Sequence, residues 1–251
     1  MTERADKGET IRNTAADVVD FAPYFVAHSG HNDEDGTMMQ SAQELRYQVY
    51  CEECHFLEAE EYPERRESDD YDDDSAHFYA YNLQKELVGY VRLVPADEDG
   101  EFPWQRFCTN LLPGIELPPA GQAGEISRLM VRRDYRRRRG DVLSGVNTAD
   151  GNGPVAGERR MESPQILLSM YRQMYQNSLK AGVRYWYAAM ERPLARSLQR
   201  MDFKFRQLGP ETDYFGPVAP YLMDLRQMET DVGRSNPALL AWLQRPDGNN
   251  S

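Results

Sequence analysis

The heptapeptide EISRLMV, residues 125–131, mixes charged and apolar side chains in a way that predicts one β-strand. Its apolar residues Ile126, Leu129 and Val131 are expected to face a core, because apolar residues dominate buried strands. Glu125 begins the strand, and six arginines follow it within residues 132–139. The segment therefore carries charged groups at both ends of a buried element, a pattern that suits a binding or catalytic site.

The segment upstream of this strand predicts a helix and a hairpin. Residues 38–56 carry apolar side chains at helical spacing, in a stripe formed by Met38, Ala42, Leu45 and Val49. Residues 76–83 and 87–94 are predicted to form two strands, and the polar turn at 84–86 predicts that they pair as a β-hairpin. A helix followed by paired strands indicates a mixed α/β arrangement.

The other N-terminal residues carry weaker signals. Residues 1–16 are polar and are expected to be disordered. The apolar cluster in residues 18–27 predicts a first strand, and residues 28–36 predict a loop. Residues 58–74 are strongly acidic, contain a proline and lack periodicity, so they are expected to form a further loop.

Downstream, residues 140–160 contain five glycines and predict a mobile insertion. Ser163, as an N-cap, and Gly182, as a terminator, bound a predicted amphipathic helix over 163–181. The later predicted elements are a strand at 183–190, a helix at 191–201, strands at 203–208 and 214–225, and a short helix at 237–243. We therefore expect one α/β domain over residues 17–226 with a central mixed sheet, and a C-terminal tail over 227–251.

Composition excludes several classes of protein. A net charge of −12 argues against a general nucleic-acid binder, whose affinity depends on neutralising phosphates. The sequence lacks an apolar run long enough to cross a bilayer, and residues 1–13 lack a signal-peptide core. The protein is therefore expected to be cytoplasmic.

The three cysteines are too few for a disulfide scaffold. Cys51 and Cys54 form a C-x-x-C pair beside His55, and Cys108 is the remaining thiol. A zinc site needs further ligands, and the pair falls inside a helical pattern, so we favour buried thiols and expect no metal.

Four short segments in order resemble the signature of the acyl-homoserine-lactone synthases. They are RYQVY at 46–50 followed by Phe56, ESDDYD at 67–72, GYVRLVP at 89–95, and EISRL at 125–129. The run RYQVYCEE at 46–53 and the DDDSAH segment at 72–77 are more similar to acyltransferases associated with PEP-CTERM/exosortase systems and to N-acyl amino acid synthases. The resemblance covers roughly residues 17–225 and implies a GNAT-like fold, with a twisted mixed sheet flanked by helices.

The resemblance implies an N-acyltransferase that moves a fatty acyl group from acyl carrier protein or acyl-CoA to the amine of an amino acid or similar small molecule. It assigns catalytic positions to Glu125, Arg92 and Ser127. It implies a substrate pocket formed by Arg46, Asp69, Asp72, Arg128, Phe56 and Tyr50. Glu125 fits a general base or an acid that orients water, but a structural pairing with Arg92 or Arg128 remains open.

The resemblance places the acyl donor after the strand at 125–131. The implied contacts are Val131, Arg132, Arg133, Arg136, Arg137, Arg138 and Arg139. The glycine-rich turn with which GNAT enzymes hold pyrophosphate is not intact here, since only Gly140 lies near its place. That departure leaves room for acyl carrier protein as the donor and partner, with no tightly bound cofactor. A lactone synthase using S-adenosylmethionine and a non-catalytic GNAT-like binding module are the alternatives.

Overall fold

The computed structural model describes residues 26–30, 36–82, 84–136 and 163–245. The predicted disordered segment 1–16 and the predicted insertion 140–160 lie outside those residues. The division into one domain and a tail stays a prediction. Within the described part of the chain, every helix is too short or too polar to cross a membrane.

A single mixed sheet forms the centre of the protein. Its strands are β1 (Val26–Gly30), β2 (Ala76–Tyr81), β3 (Leu87–Val94), β4 (Ala123–Val131), β5 (Tyr185–Met190), β6 (Arg206–Gln207), β7 (Thr212–Asp213) and β8 (Pro217–Asp224). They lie in the order β1-β2-β3-β4-β5-β8-β6, and β7 pairs with β8. Only the β4–β5 pair is parallel among the described strand pairs. The predicted α/β class with a central mixed sheet is confirmed.

Five α-helices flank the sheet in the described residues. They are α1 (Thr37–Tyr47), α2 (Ser163–Ala181), α3 (Arg192–Gln199), α4 (Leu225–Ser235) and α5 (Pro237–Gln244). Helix α1 continues into a π-helical turn, Gln48–Glu53. Helix α2 ends before Gly182, whose φ of 79° is the left-handed conformation that glycine adopts without a Cβ clash.

The hairpin at β2–β3, the strand β4 and the helix α2 lie where the sequence predicted them. Four details differ. The predicted strand at 203–208 is reduced to the two residues Arg206–Gln207. Residues 28–30, predicted as loop, belong to β1, because their backbone pairs with β2. The predicted strand 214–225 starts only at Pro217, since a tight turn occupies residues 213–216. Helix α4 was missed altogether, because its apolar residues contact the core from one narrow face.

Helices cover both faces of the sheet. Alternation along β2 and β3 sends Phe78 and Val91 into a core shared with α2, α4 and α5. Their neighbours Tyr79 and Tyr90 point the other way and pack under α1 with Ala42. A smaller third cluster, centred on Trp104, lies beneath the loop between β3 and β4. The site described below is built where this loop and α1 meet the sheet.

Candidate functional site

A cleft opens where β4 and β5 separate. The two parallel strands pair from Ala123 opposite Tyr185 to Glu125 opposite Tyr187, and the ladder ends there. Beyond that point, residues 125–129 of β4 and 188–190 of β5 line opposing walls of a cleft of about 140 Å³. Divergence of two strands leaves main-chain groups on both walls without their usual ladder partners, so they can bond a ligand.

Glu125 lies at the base of this cleft and is 3% exposed. Its Oε2 accepts a hydrogen bond of 2.9 Å from the main-chain N–H of Trp104. Burial raises the pKa of Glu125 to about 7, although the Trp104 N–H and the charges of Arg92 and Arg128 act to lower it. A carboxyl group with that pKa can take up a proton near neutral pH.

The N–H that bonds Glu125 is positioned by aromatic packing. Trp104 belongs to the 3-10 turn Pro103–Arg106, and its buried indole lies 5.2 Å from the ring of Tyr187. Phe102 also packs on Tyr187, with ring centroids 5.0 Å apart. The sequence analysis missed this contact, because a main-chain donor leaves no residue-type signal.

A β-bulge interrupts β4 beside the cleft. The register between β3 and β4 shifts between Tyr90 and Arg92, and Arg128 adopts a φ of 55°. An extra residue in one strand re-aims the side chains around it, so both Ser127 and Arg128 line the cleft. The left-handed backbone conformation costs a residue other than glycine about 1–2 kcal/mol. The ion pairs around Arg128 must offset this strain.

Arg128 joins the cleft to a cluster of acids beside it. Its guanidinium bonds Glu67 at 2.8 and 3.2 Å and Asp69 at 2.8 Å. The same guanidinium lies 4.9 Å from the ring centroid of Tyr50. Arg128 is therefore held on one side by carboxylates and on another by an aromatic face.

Two further arginines complete the cluster behind Arg128. Arg92 bonds both carboxylate oxygens of Asp69, at 2.5 and 2.7 Å, and also bonds Asp72 at 2.6 Å. Arg46 bonds Glu67, and it bonds Asp72 at 2.5 Å. Arg46 and Arg92 are buried and are not among the residues that line the cleft.

Three guanidiniums thus face three carboxylates. Burial by itself would raise the pKa of Asp69, but the hydrogen bond from Arg92 and the charges of Arg128, Arg92 and Arg46 lower it to about 2. Burial would also raise the pKa of Glu67, but the charges and hydrogen bonds of Arg128 and Arg46 lower it. Glu67 and Asp69 are therefore ionised at neutral pH.

His77 bonds the main chain of Asp72, one of the acids of this cluster. Its Nε2 lies 2.8 Å from the main-chain oxygen of Asp72, which can only accept, so Nε2 carries a proton. Its Nδ1 lies 2.7 Å from the hydroxyl of Tyr90. Burial lowers the pKa of His77, so the neutral ring fixes the loop that carries Asp72.

Aromatic rings form one wall of the cleft. Tyr50, Phe56 and Phe215 lie with ring centroids 6.1 to 6.4 Å apart. Tyr214 also lines the cleft and stacks on Phe107 at 3.8 Å. Tyr50 and Phe56 were predicted from the sequence, whereas Tyr214 and Phe215 were missed, since they come from a turn that only the folded chain brings here.

The described residues that were predicted to bind the acyl donor do not line the cleft. Val131 is fully buried, and its carbonyl accepts from Arg136. Arg136 is 1% exposed and pairs with Glu53, so its guanidinium is held inside the protein. Both side chains lie inside because Val131 ends the buried strand β4, and Arg136 bonds back to the Val131 carbonyl and to Glu53. The donor-binding roles of Val131 and Arg136 stay predictions.

The remaining arginines of that segment are partly outside the described residues. Arg132 lies 3.3 Å from both Glu86 and Asp134, which partly neutralises it. Arg133 is exposed. Arg137, Arg138 and Arg139 lie outside the described residues, so their predicted role is untested.

The cysteines do not form a recognisable metal site. Among the described residues, no group of three or more His, Cys, Asp or Glu side chains is arranged to hold a metal ion. Cys51 is buried and Cys54 half-buried, both as free thiols. Burial raises the pKa of Cys51, which makes its thiol less reactive.

A profile of the acetyltransferase (GNAT) domain family matches residues 45–145. That stretch contains the acid cluster, strands β2 to β4 and Glu125. The chain has a GNAT-like fold. No curated protein matches the chain.

Solved structures with this GNAT-like fold include acyl-homoserine-lactone synthases. The CoA-dependent synthase BjaI, with SAM and isopentyl-CoA, has a TM-score of 0.59 at 19% identity, covering 88% of this chain and 98% of that one. TofI, in a ternary complex with an inhibitor and MTA, has a TM-score of 0.57 at 16% identity, covering 86% and 99%. LasI has a TM-score of 0.56 at 14% identity, covering 80% and 90%. At these identities the likeness is one of fold.

Proposed function

We propose that the protein is an N-acyltransferase, which moves a fatty acyl group from a thioester donor to the amine of an amino acid or similar small molecule. The observation that carries the proposal is Glu125, a buried carboxyl with a pKa of about 7 at the base of the cleft. A group of this kind is a suitable base for the proton that an amine loses as it attacks a thioester. The donor is acyl carrier protein or acyl-CoA.

In the proposed reaction the neutral amine attacks the thioester carbonyl carbon. The C–N bond forms as the C–S bond breaks, and the thiolate leaves. Glu125 takes the proton that the amine loses and returns it to the thiolate or to solvent. The leaving thiolate needs little help from an acid, because a thiol has a pKa near 8.5.

The two walls of the cleft suit the two substrates. Main-chain groups on β4 and β5 suit the amide-bearing arm of an acyl thioester, which can bond to the edges of diverging strands. On the other side, Ser127 and Arg128 stand next to Glu125, near the aromatic wall. They suit the polar groups of a small acceptor.

The predicted roles of Arg46, Asp72 and Arg92 are better supported as positioning roles. They are buried behind the residues that line the cleft, and they hold Arg128 through the shared acids Glu67 and Asp69. Since Arg92 also lies 3.4 Å from the Ser127 hydroxyl, its guanidinium orients a group that does face the cleft. In this proposal Arg92 acts through its neighbours.

The test offers the purified protein thioester donors and pooled amino acids, and detects N-acyl products by mass spectrometry. Donors are acyl carrier protein and coenzyme A carrying saturated chains from octanoyl to octadecanoyl. Glu125→Gln is expected to lower kcat by about 10²- to 10³-fold, because the base is lost while the Trp104 hydrogen bond is kept. Asp73→Asn is the control, since Asp73 is an exposed acid outside the cleft.

Unchanged kcat in Glu125→Gln would show that Glu125 is not the base. Absence of product with every donor, together with retained binding of the carrier protein, would favour a non-catalytic GNAT-like module.

An acyl-homoserine-lactone synthase is the second candidate. Its support is the likeness to BjaI, whose structure contains SAM and isopentyl-CoA. Product formed only when S-adenosylmethionine is the acceptor would select this candidate over transfer to an amino acid. The association with PEP-CTERM/exosortase systems stays a prediction from the resemblance.

A further inference from the structure

A second cavity, of about 410 Å³, lies beside the start of strand β4. Strands β4 and β5 are still paired there, at Ala123 and Tyr185, whereas the cleft opens beyond Glu125. Among the described residues, the cavity and the cleft have no lining residue in common. Cavities that bind small molecules have volumes of about 300–1,000 Å³, so this cavity is large enough for a ligand of its own.

Short side chains leave this space open. Ala76, Ala123 and Gly124 line the cavity from the strands, and Ala181 lines it from the last turn of α2. Larger side chains at these positions would fill the space, since protein interiors are otherwise close-packed. The apolar walls are formed by Phe78, Leu93 and Val183. The cavity therefore suits the apolar part of a ligand.

Two polar side chains in the cavity are available to a ligand. Within the part of the chain that the structure describes, the side chains of Asp74 and Asn177 form neither a hydrogen bond nor an ion pair. His77 also lines the cavity, but both of its ring nitrogens are already bonded. The carboxylate of Asp74 and the amide oxygen of Asn177 can both accept a hydrogen bond from an ammonium group.

The charge around the cavity favours a cation over an anion. Asp74 is exposed, and no lysine or arginine is among the described residues that line the cavity. Helix α2 ends at Ala181 on the cavity wall, and the C-terminal end of a 19-residue helix carries a partial negative charge. Lys180 and Arg184 are close in the chain, but they do not line the cavity. The carboxylate and the helix end therefore attract charge of the same sign.

We infer that this cavity binds a small molecule with a primary ammonium group at one end and an apolar chain at the other. The ammonium would bond the Asp74 carboxylate and the Asn177 amide oxygen, while the chain would pack on Phe78 and Leu93. Burial of the chain supplies most of the affinity, and the charge selects amines over carboxylates. The site lies outside the cleft, so the inference does not depend on the proposed acyl transfer.

His77 allows binding to be observed from within the cavity. Its buried ring lines the cavity and is absent from the residues that line the cleft. The chain has four histidines, so their ring resonances can be resolved by NMR. The resonances of His77 are assigned by their loss in the variant His77→Gln. A ligand in the cavity would shift them, whereas a ligand held in the cleft would not contact this ring.

The experiment titrates octylamine, octan-1-ol and octanoate onto the protein at about pH 7 and follows the ring resonances of His77. Octylamine is a cation at this pH, and it is expected to bind about threefold to tenfold more tightly than octan-1-ol, which has the same chain. Octanoate is expected to bind more weakly than octan-1-ol, because Asp74 and the helix end repel its charge.

Two variants test the two ends of the ligand. Asp74→Asn is expected to bring the Kd of octylamine close to that of octan-1-ol, and its control is Asp73→Asn, an adjacent exposed acid that does not line the cavity. Ala181→Phe is expected to weaken binding of both ligands about tenfold or more, because the ring takes the space of the chain. Its control is Ala241→Phe, the same change at an exposed position of α5 outside both cavities.

Four results would overturn the inference. Octylamine could leave the His77 resonances unchanged, or octanoate could bind as tightly as octylamine. Ala181→Phe could weaken binding no more than Ala241→Phe does. An equal loss in Asp73→Asn and Asp74→Asn would mean that the acidic loop attracts amines without a defined site. Thermal unfolding of each variant checks that the fold is intact.

Discussion

Two sets of carboxyl groups lie in or beside the cleft, and their pKa values move in opposite directions. Glu67 and Glu125 are buried, whereas the Asp69 side chain is 23% exposed. Glu67 and Asp69 have lowered pKa values, whereas that of Glu125 rises to about 7. Burial acts on all of them in the same sense. The difference is that Arg128 bonds both Glu67 and Asp69, while Glu125 receives one main-chain N–H from Trp104.

This difference separates a supporting cluster from a reactive group. Ionised acids that are bonded to guanidiniums hold their geometry and cannot exchange protons near neutral pH. A carboxyl group without such a partner stays close to its point of half-protonation. The number of guanidinium partners, rather than depth of burial, therefore decides which acid can act as a base.

The largest expected effect comes from breaking the cluster. Arg46→Met leaves Glu67 and Asp72 buried without one of their cations, so the free energy of unfolding is expected to fall by about 3–5 kcal/mol. Urea denaturation at neutral pH measures this. A loss below about 1 kcal/mol would mean that Arg128 and Arg92 suffice, and that the cluster is not a cooperative support.

The next effect concerns the stability of Glu125→Gln. The folded state raises the pKa of Glu125, so the stability that its protonated form provides is present below the unfolded pKa and is lost as pH rises to about 7. Glutamine does not titrate, so the variant is expected to be more stable than the natural protein above about pH 7, by up to about 3 kcal/mol. Urea denaturation at about pH 5 and about pH 8 checks this. A variant that is less stable at the higher pH would show that the folded protein favours the ionised carboxylate.

A third effect is on the rate of reaction. If Glu125 is the base, kcat at saturating substrates is expected to fall about tenfold for each pH unit below about 7, as the carboxyl becomes protonated. The pH dependence of the residual rate of Glu125→Gln shows what other groups contribute, including the acceptor amine. Parallel profiles for the two proteins would remove Glu125 from the proton transfer.

The smallest effect is expected at an exposed ion pair. Arg65 pairs with Glu52, but both side chains are largely in solvent, at 69% and 39% exposure. Arg65→Gln should change the free energy of unfolding by less than about 0.5 kcal/mol, because water screens such pairs. A loss as large as that of Arg46→Met would mean that burial does not distinguish the two pairs. Both variants can be compared in one series of urea titrations.

Sequence reasoning located much of the site because its residues lie in four short segments. Glu125, Ser127, Arg128, Tyr50 and Phe56 all line the cleft. The reasoning did not reveal which of the polar residues face the cleft and which lie behind it. That distinction depends on the bulge in β4, which is a property of strand pairing.

Other parts of the site left no usable pattern. The main-chain N–H of Trp104 has no side-chain signature, and Phe215 reaches the cleft through a turn far along the chain. The arginines at 132–139 drew attention because they are adjacent in sequence.

The amino-acid sequence by itself determined the order of the main elements, the mixed sheet and the identity of the charged groups. Periodicity and turn residues act over a few positions, so they can be read locally. The tertiary structure alone decided that Arg128 neutralises two acids while Glu125 keeps a raised pKa. Protonation depends on distances and burial between distant segments, and these exist only after the chain has packed.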